Sequence, residues 1–166
     1  MSEIKGLQSV FDSFNEFEKE IQSIIKELVN DFTKIIELQA KKLVPSAGQP
    51  LQTSTGRKET LNVNLANFIF SEITNNGLTG IIGIDNSASE LAIYIEFGTG
   101  TSAANYVPTL PTEFQEVAKQ YYINGRGTLI KSPFLIPSFF QYSEEFKKEL
   151  YTELTNKGYK ISGFSK

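Results

Sequence analysis

The chain has 166 residues, a formal charge of −3, and 40% hydrophobic and 21% charged residues, the balance of one folded domain with room for a core. It contains neither cysteine nor histidine, which excludes disulfides, thiolate metal sites, cysteine nucleophiles and every Ser-His-Asp arrangement. A slightly acidic chain lacks the basic footprint of a dedicated nucleic-acid binder.

No stretch approaches the roughly 20 apolar residues of a membrane span, and the N-terminus shows no signal-peptide pattern, so a soluble protein is expected. The aromatic content is Phe 13 and Tyr 7 with no Trp, which suggests a core or interface filled by flat rings.

From about residue 9 to 43 the pattern is helical. Leu7, Phe14, Ile21, Leu28 and Ile35 recur at heptad spacing, with Val10, Phe17, Ile24 and Leu38 between them. Such a helix is on the order of 50 Å long, more than one small domain covers. Either the stripe packs on the chain's own sheet, or part of it, at the N-terminal end, packs on a neighbouring subunit. Asp31 interrupts the heptads and argues against a long coiled coil.

Pro45 ends the helix. Residues 44–58, rich in Ser, Thr, Gly, Pro and Gln, read as an exposed loop. A sheet is expected over about 61–97. Asn67–Thr74 and Leu78–Ile84 flank an Asn76-Gly77 turn, and Glu90–Phe97 alternates cleanly enough to supply a third strand. Residues 98–111 read as a loop. A short helix is expected from Thr112, with a Thr112/Gln115 capping box and a stop at Asn124-Gly125-Arg126-Gly127. A last helix runs over about 137–157, with Pro137 in its first turn and Gly158 after its end. The expected fold is α+β: a long N-terminal helix on a small antiparallel sheet, a three-stranded meander or more, with a C-terminal helix.

Candidate chemistry is sparse. Gly98-Thr99-Gly100-Thr101-Ser102-Ala103 matches the form of a dinucleotide fingerprint, but the βαβ context that gives it meaning is missing. Asp85, Glu90 and Glu96 are oxygen ligands in principle, although Glu96 is better explained as meeting a backbone amide or a cation. Arg57-Lys58 and Lys147-Lys148 are short basic pairs of the kind that usually face solvent. The segment Lys131–Phe140, KSPFLIPSFF, is either an apolar anchor for the last helix or an edge offered to a neighbour. No residue is assigned a catalytic, cofactor or metal role.

Two stretches together resemble a tailed-bacteriophage neck family, described as tail-completion, head–tail joining or tail-component proteins. They are Tyr94-Ile95-Glu96-Phe97-Gly98-Thr99-Gly100 and Pro133-Phe134-Leu135-Ile136-Pro137-Ser138. Upstream, Val44-Pro45 and Thr55-Gly56-Arg57 resemble the family's V-P…T-G-R loop. Element order agrees over about 9–157. The chain departs from the family in a lengthened 45–55 loop, an inserted loop and short helix at 101–132, and Ser138 in place of alanine.

The resemblance implies a single domain over 1–166 that serves as a virion structural protein. Its place would be a homo-oligomeric ring at the neck, made in the host cytoplasm, meeting portal or adaptor proteins and tail proteins around the DNA channel. A tail terminator ring at the top of the tail tube is the near alternative, and a small carboxylate-dependent or nucleotide-binding enzyme the distant one. Glu96, Phe97, Gly98, Thr99, Gly100, Pro133, Phe134, Leu135 and Pro137 are the expected interface residues. Thr55, Gly56, Arg57 and Lys58 are the expected loop facing the channel or a neighbouring ring, in passive contact with packaged DNA.

Overall fold

A computed structural model of the chain describes residues 7–121 and 127–162. Helix α1 spans Leu7–Leu43, about 55 Å at the usual rise. Lys41 and Lys42 occupy its last turn, where cations suit the helix dipole. The C-terminal helix α5 spans Leu135–Asn156 and is about 33 Å long. Phe146 of α5 meets Phe32 of α1 edge-on at 5.5 Å between centroids, and Lys157 reaches Glu20 at 2.8 Å. Moving back along α1 is therefore moving forward along α5, and the two helices run antiparallel.

Leu28, Phe32, Ile36 and Ala40 are the buried core face of α1. Phe14 lies about five turns before Phe32 and points to the same side. It is nevertheless 65% exposed. The apolar stripe thus runs on past the body that covers it. Ile35 and Leu38, about 60° and 120° around the helix from Phe32, are exposed as well, Leu38 to 66%.

After Val44 the expected loop partly folds. Strand β1 (Pro50–Leu51) pairs antiparallel with β2 (Glu59–Thr60). A second antiparallel pair, β3 (Ile69–Thr74) and β4 (Thr79–Ile84), packs on α1. Its turn is broader than two residues: Asn75, Asn76 and Gly77 all take positive φ and Leu78 closes back on the Asn75 carbonyl at 3.1 Å. Asparagine and glycine are the residues that tolerate this conformation. On the helix side of the hairpin, the hydroxyl of Ser71 donates to Glu37 of α1, and Gly80 lies against Thr33. On the other side Phe70 lies over Gly83, with both Phe70 and Ile81 exposed.

The third strand is a correction. Residues Ser89–Phe97 form helix α2, so the meander is a two-stranded hairpin. Ala92, Ile95, Glu96 and Phe97 are all buried. A segment enclosed on most sides carries little periodicity, and its alternation in sequence was an accident of composition. What starts the helix is local: Asp85 accepts the Ser87 amide at 2.9 Å and its hydroxyl, and Ser89 donates to Asn86 at 3.0 Å.

The loop expected after Phe97 is also helical. Helix α3 covers Gly100–Tyr106 and a 3-10 turn covers Val107–Thr109. Helix α4 spans Thr112–Tyr121. The amide of Gln115 donates to the Leu110 carbonyl at 2.7 Å, holding the turn before α4 where a capping box was expected. The stop at 124–126 lies outside the described residues.

Two apolar clusters result. One gathers Ala40, Val44, Leu61, Leu65, Ile69, Ala88, Ala92, Ile95 and Phe134. The other gathers Phe97, Ala103, Val107, Leu110, Ala118 and Ile136. No helix among the described residues is long and apolar enough to cross a membrane.

The sheet-to-helix contact gives a test. A Cβ on Gly80 would stand 1.8 Å from Thr33 Oγ1 and 3.0 Å from its Cβ. Gly80→Ala is expected to cost about 2 kcal/mol by overpacking. Adding Thr33→Ala should recover part of that loss, read as non-additivity in urea unfolding.

Candidate functional site

The residues singled out in the sequence come together around one buried carboxylate. Glu96, near the end of α2, is only 5% exposed. Its Oε2 accepts the backbone N–H groups of Phe134 at 2.8 Å and Leu135 at 2.9 Å, and its Oε1 accepts that of Ile136 at 3.0 Å. These are the amides at the start of α5, which have no partner inside the helix. The next residue, Pro137, has no N–H to satisfy. Ser138, fully buried, donates its hydroxyl to the Phe134 carbonyl at 2.6 Å. Glu96 is therefore the cap of a helix 38 residues away in sequence.

Burial pushes the Glu96 carboxyl above the usual carboxylate range, while the three backbone donors and then the Lys131 ammonium pull it back. Lys131 stands 3.7 Å above the Tyr106 ring. Burial, and then the charge of Glu96, raise the Tyr106 hydroxyl.

Residues 128–132 form a strap beside this clasp. Thr99 and Leu129 exchange two bonds: the Thr99 N–H donates to the Leu129 carbonyl at 2.8 Å, and the Leu129 N–H to Thr99 Oγ1 at 2.8 Å. The Lys131 N–H donates to Ser102 Oγ at 2.9 Å and the Ser132 N–H to the Ile95 carbonyl at 2.8 Å. On its far side the strap meets the 50s loop, where the Ile130 N–H donates to the Gln52 carbonyl at 2.8 Å and the Ser54 N–H to the Thr128 carbonyl at 2.7 Å.

Gly98 turns the chain between α2 and α3 at φ +74°, a conformation that favours glycine. A Cβ there would lie 2.7 Å from both the Lys131 nitrogen and Ser102 Oγ. Thus one strap is bonded to Gln52 and Ser54, just before the Thr55–Lys58 stretch, and to Ile95, Thr99 and Ser102 in and after the Tyr94–Gly100 stretch, and runs on into Pro133–Ser138. Sequence reasoning found the stretches, and named Ser102 and Lys131 for other reasons, but missed the strap as a connection and the partners Gln52, Ser54 and Leu129. Their roles are carried by main chain or by hydroxyls, which leave no pattern in sequence.

The expected interface is largely internal. Phe134 is fully buried, Phe97 is 6% exposed, and Glu96, Gly98 and Gly100 are also enclosed. Their place is a correction: Phe134 belongs to the first apolar cluster and Phe97 to the second. Such residues position the surface; they do not form it. Thr99, Pro133, Leu135 and Pro137 are half-buried, and Thr55, Gly56, Arg57 and Lys58 are exposed, with Arg57 paired to Glu59 at 3.2 Å. The candidate carboxylate ligands are not brought together: Asp85 holds Ser87, Glu90 accepts the Tyr94 hydroxyl at 3.0 Å, and Glu96 holds the amides.

An apolar groove of about 430 Å³ lies between β4, α2, α4 and the start of α5. Ile81, Phe114, Val117 and Phe139 form part of its walls. The glycine-rich stretch is preceded by a helix, which removes the strand–turn–helix context of a dinucleotide site.

No family model, curated protein or solved structure matches this chain.

The clasp makes two predictions. Glu96→Ala leaves three amides at a buried helix start without their acceptor and is expected to cost about 3 kcal/mol or more in urea unfolding. The pH dependence follows from the raised carboxyl. A folded value above the unfolded one means that Glu96's contribution is fully present below the unfolded value and is lost as pH rises through the folded one. Wild-type stability measured against Glu96→Gln is therefore expected to fall as pH increases from about 4 toward neutrality. The opposite slope would mean that the three amides outweigh burial.

Proposed function

We propose that this chain is a structural subunit of the head–tail connector, or neck, ring of a tailed bacteriophage. In the virion it would join the portal or adaptor side to the tail around the DNA channel. The observation that carries this is the convergence just described. The stretches on which the resemblance rests, far apart in sequence, meet through the Glu96 clasp and the strap at residues 128–132.

The same site speaks for scaffolding over catalysis. Its one buried carboxylate is committed to three backbone donors, and the adjoining groove is lined almost wholly by apolar side chains. Apolar surface left uncovered on α1, on the outer side of the hairpin and in the groove suits a protein whose partners are other chains. In this arrangement the strap is bonded to Gln52 and Ser54, just before the exposed Thr55–Lys58 loop, so that a ring would present one such loop per subunit to the channel or to an adjacent ring. Arg57 and Lys58 are suited to brief, sequence-independent contact with phosphates of passing DNA.

Imaging phage particles made without this protein tests the proposal. Filled heads separated from tails are expected, with joined particles restored when the protein is supplied. Infectious, joined particles in its absence would overturn the assignment, as would its absence from purified virions by mass spectrometry.

A further inference from the structure

Strand β4 closes the hairpin with a free edge. Its register with β3 runs unbroken from Ile69↔Ile84 to Thr74↔Thr79, and the Asp85 N–H donates to the Phe68 carbonyl at 2.9 Å. Main-chain groups along an antiparallel pair point alternately toward the partner strand and away from it. Those of Thr79, Ile81 and Gly83 therefore face β3, and those of Gly80, Ile82 and Ile84 face outward.

That edge is unguarded. Thr79–Ile84 carries no charged residue and no proline, and its pairing contains no bulge. These are the devices by which proteins keep an edge strand from pairing with another chain. The segment that would have covered it as a third strand, Ser89–Phe97, is helix α2.

The apolar groove opens at the same edge. Gly80, Ile82 and Ile84 line it, with Ile93, Phe134 and Phe139 among its other residues. Side chains directly opposite one another on neighbouring strands share a face. An extended segment laid about 4.8 Å from β4 would thus send every second side chain into the groove. The groove's volume of about 430 Å³ lies in the range of sites that enclose a ligand. A helix or a compact apolar molecule would fill it but leave the outward main-chain groups unmatched. A strand satisfies both.

We infer that β4 takes up an extended strand from another protein, apolar at alternate positions. The strand pairs by main chain along Gly80–Ile84 and seats its apolar side chains in the groove. Main-chain bonds give such a contact its affinity, and the groove selects the alternate side chains. Nothing in the contact depends on a neck ring.

Nuclear magnetic resonance on the isotope-labelled full chain tests it. The probes are capped heptapeptides with valine, isoleucine, leucine or phenylalanine alternating with threonine. Binding is expected to shift the amides of Gly80, Ile82 and Ile84 and to slow their exchange roughly tenfold or more. N-methylating one alternate set of peptide positions should weaken binding by roughly tenfold or more, and methylating the other set should leave it unchanged. Val117→Asp and Phe139→Ser alter exposed walls of the groove. Each should weaken binding similarly, with unchanged circular dichroism.

Equal loss or equal binding with both methylated sets would overturn strand pairing, as would full binding to Val117→Asp or no binding by any of the peptides. Slow exchange of the three amides in the dilute chain alone would mean that the chain covers its own edge. Slow exchange that sets in with chain concentration would make a second copy the occupant. Each of these outcomes overturns the contact with another protein and leaves the neck assignment standing, since that is decided by particles made without this chain.

Discussion

The structure depends on one carboxylate placed where a helix begins. Glu96 accepts the N–H groups of Phe134, Leu135 and Ile136, and Pro137 completes the turn by having none. A helix start buried without acceptors is costly, because each amide has given up water. Here the acceptor comes from the end of a different helix, so α2 and α5 are joined by the condition that makes α5 stable at its buried end. Ile95 and Phe97, on either side of Glu96, fall into different apolar clusters, as do Phe134 and Ile136 on either side of Leu135. The clasp is the seam between the two halves of the core.

That seam explains why the surrounding segments are held as they are. Gly98 turns sharply because the strap at residues 128–132 passes within contact distance of where a Cβ would be. The strap is fixed by Thr99 and Ser102 on one side and by Gln52 and Ser54 on the other. Residues expected to touch a neighbour lie inside instead, where they set the shape of the surface.

The rest of the molecule is notable for what it leaves open. A helix of 37 residues is laid against one of 22, and the shorter partner cannot cover the longer. The hairpin covers part of the difference on one side of α1, at Thr33 and Glu37. The N-terminal ridge at Phe14 and the flank at Leu38 remain in solvent. Single large apolar groups at such exposure are ordinary on a protein surface, whereas contiguous patches of them mark places where other molecules bind.

The sequence alone determined the two long helices, the hairpin, the helix stop at Pro45 and the presence of apolar residues on α1 that stay exposed. Each rests on a long periodic run or on residues such as Pro45, Asn76 and Gly77 whose backbone preferences are strong. It also marked Glu96 as a carboxylate for a backbone amide or a cation, and the structure gives it three backbone amides. Tertiary structure alone decided that Ser89–Phe97 is a helix, since a segment buried on most sides has no polar face to reveal its period. It likewise decided that Phe134 and Phe97 lie inside. Burial is a property of what surrounds a side chain, and a phenylalanine reads the same in sequence whether its neighbours come from its own chain or another.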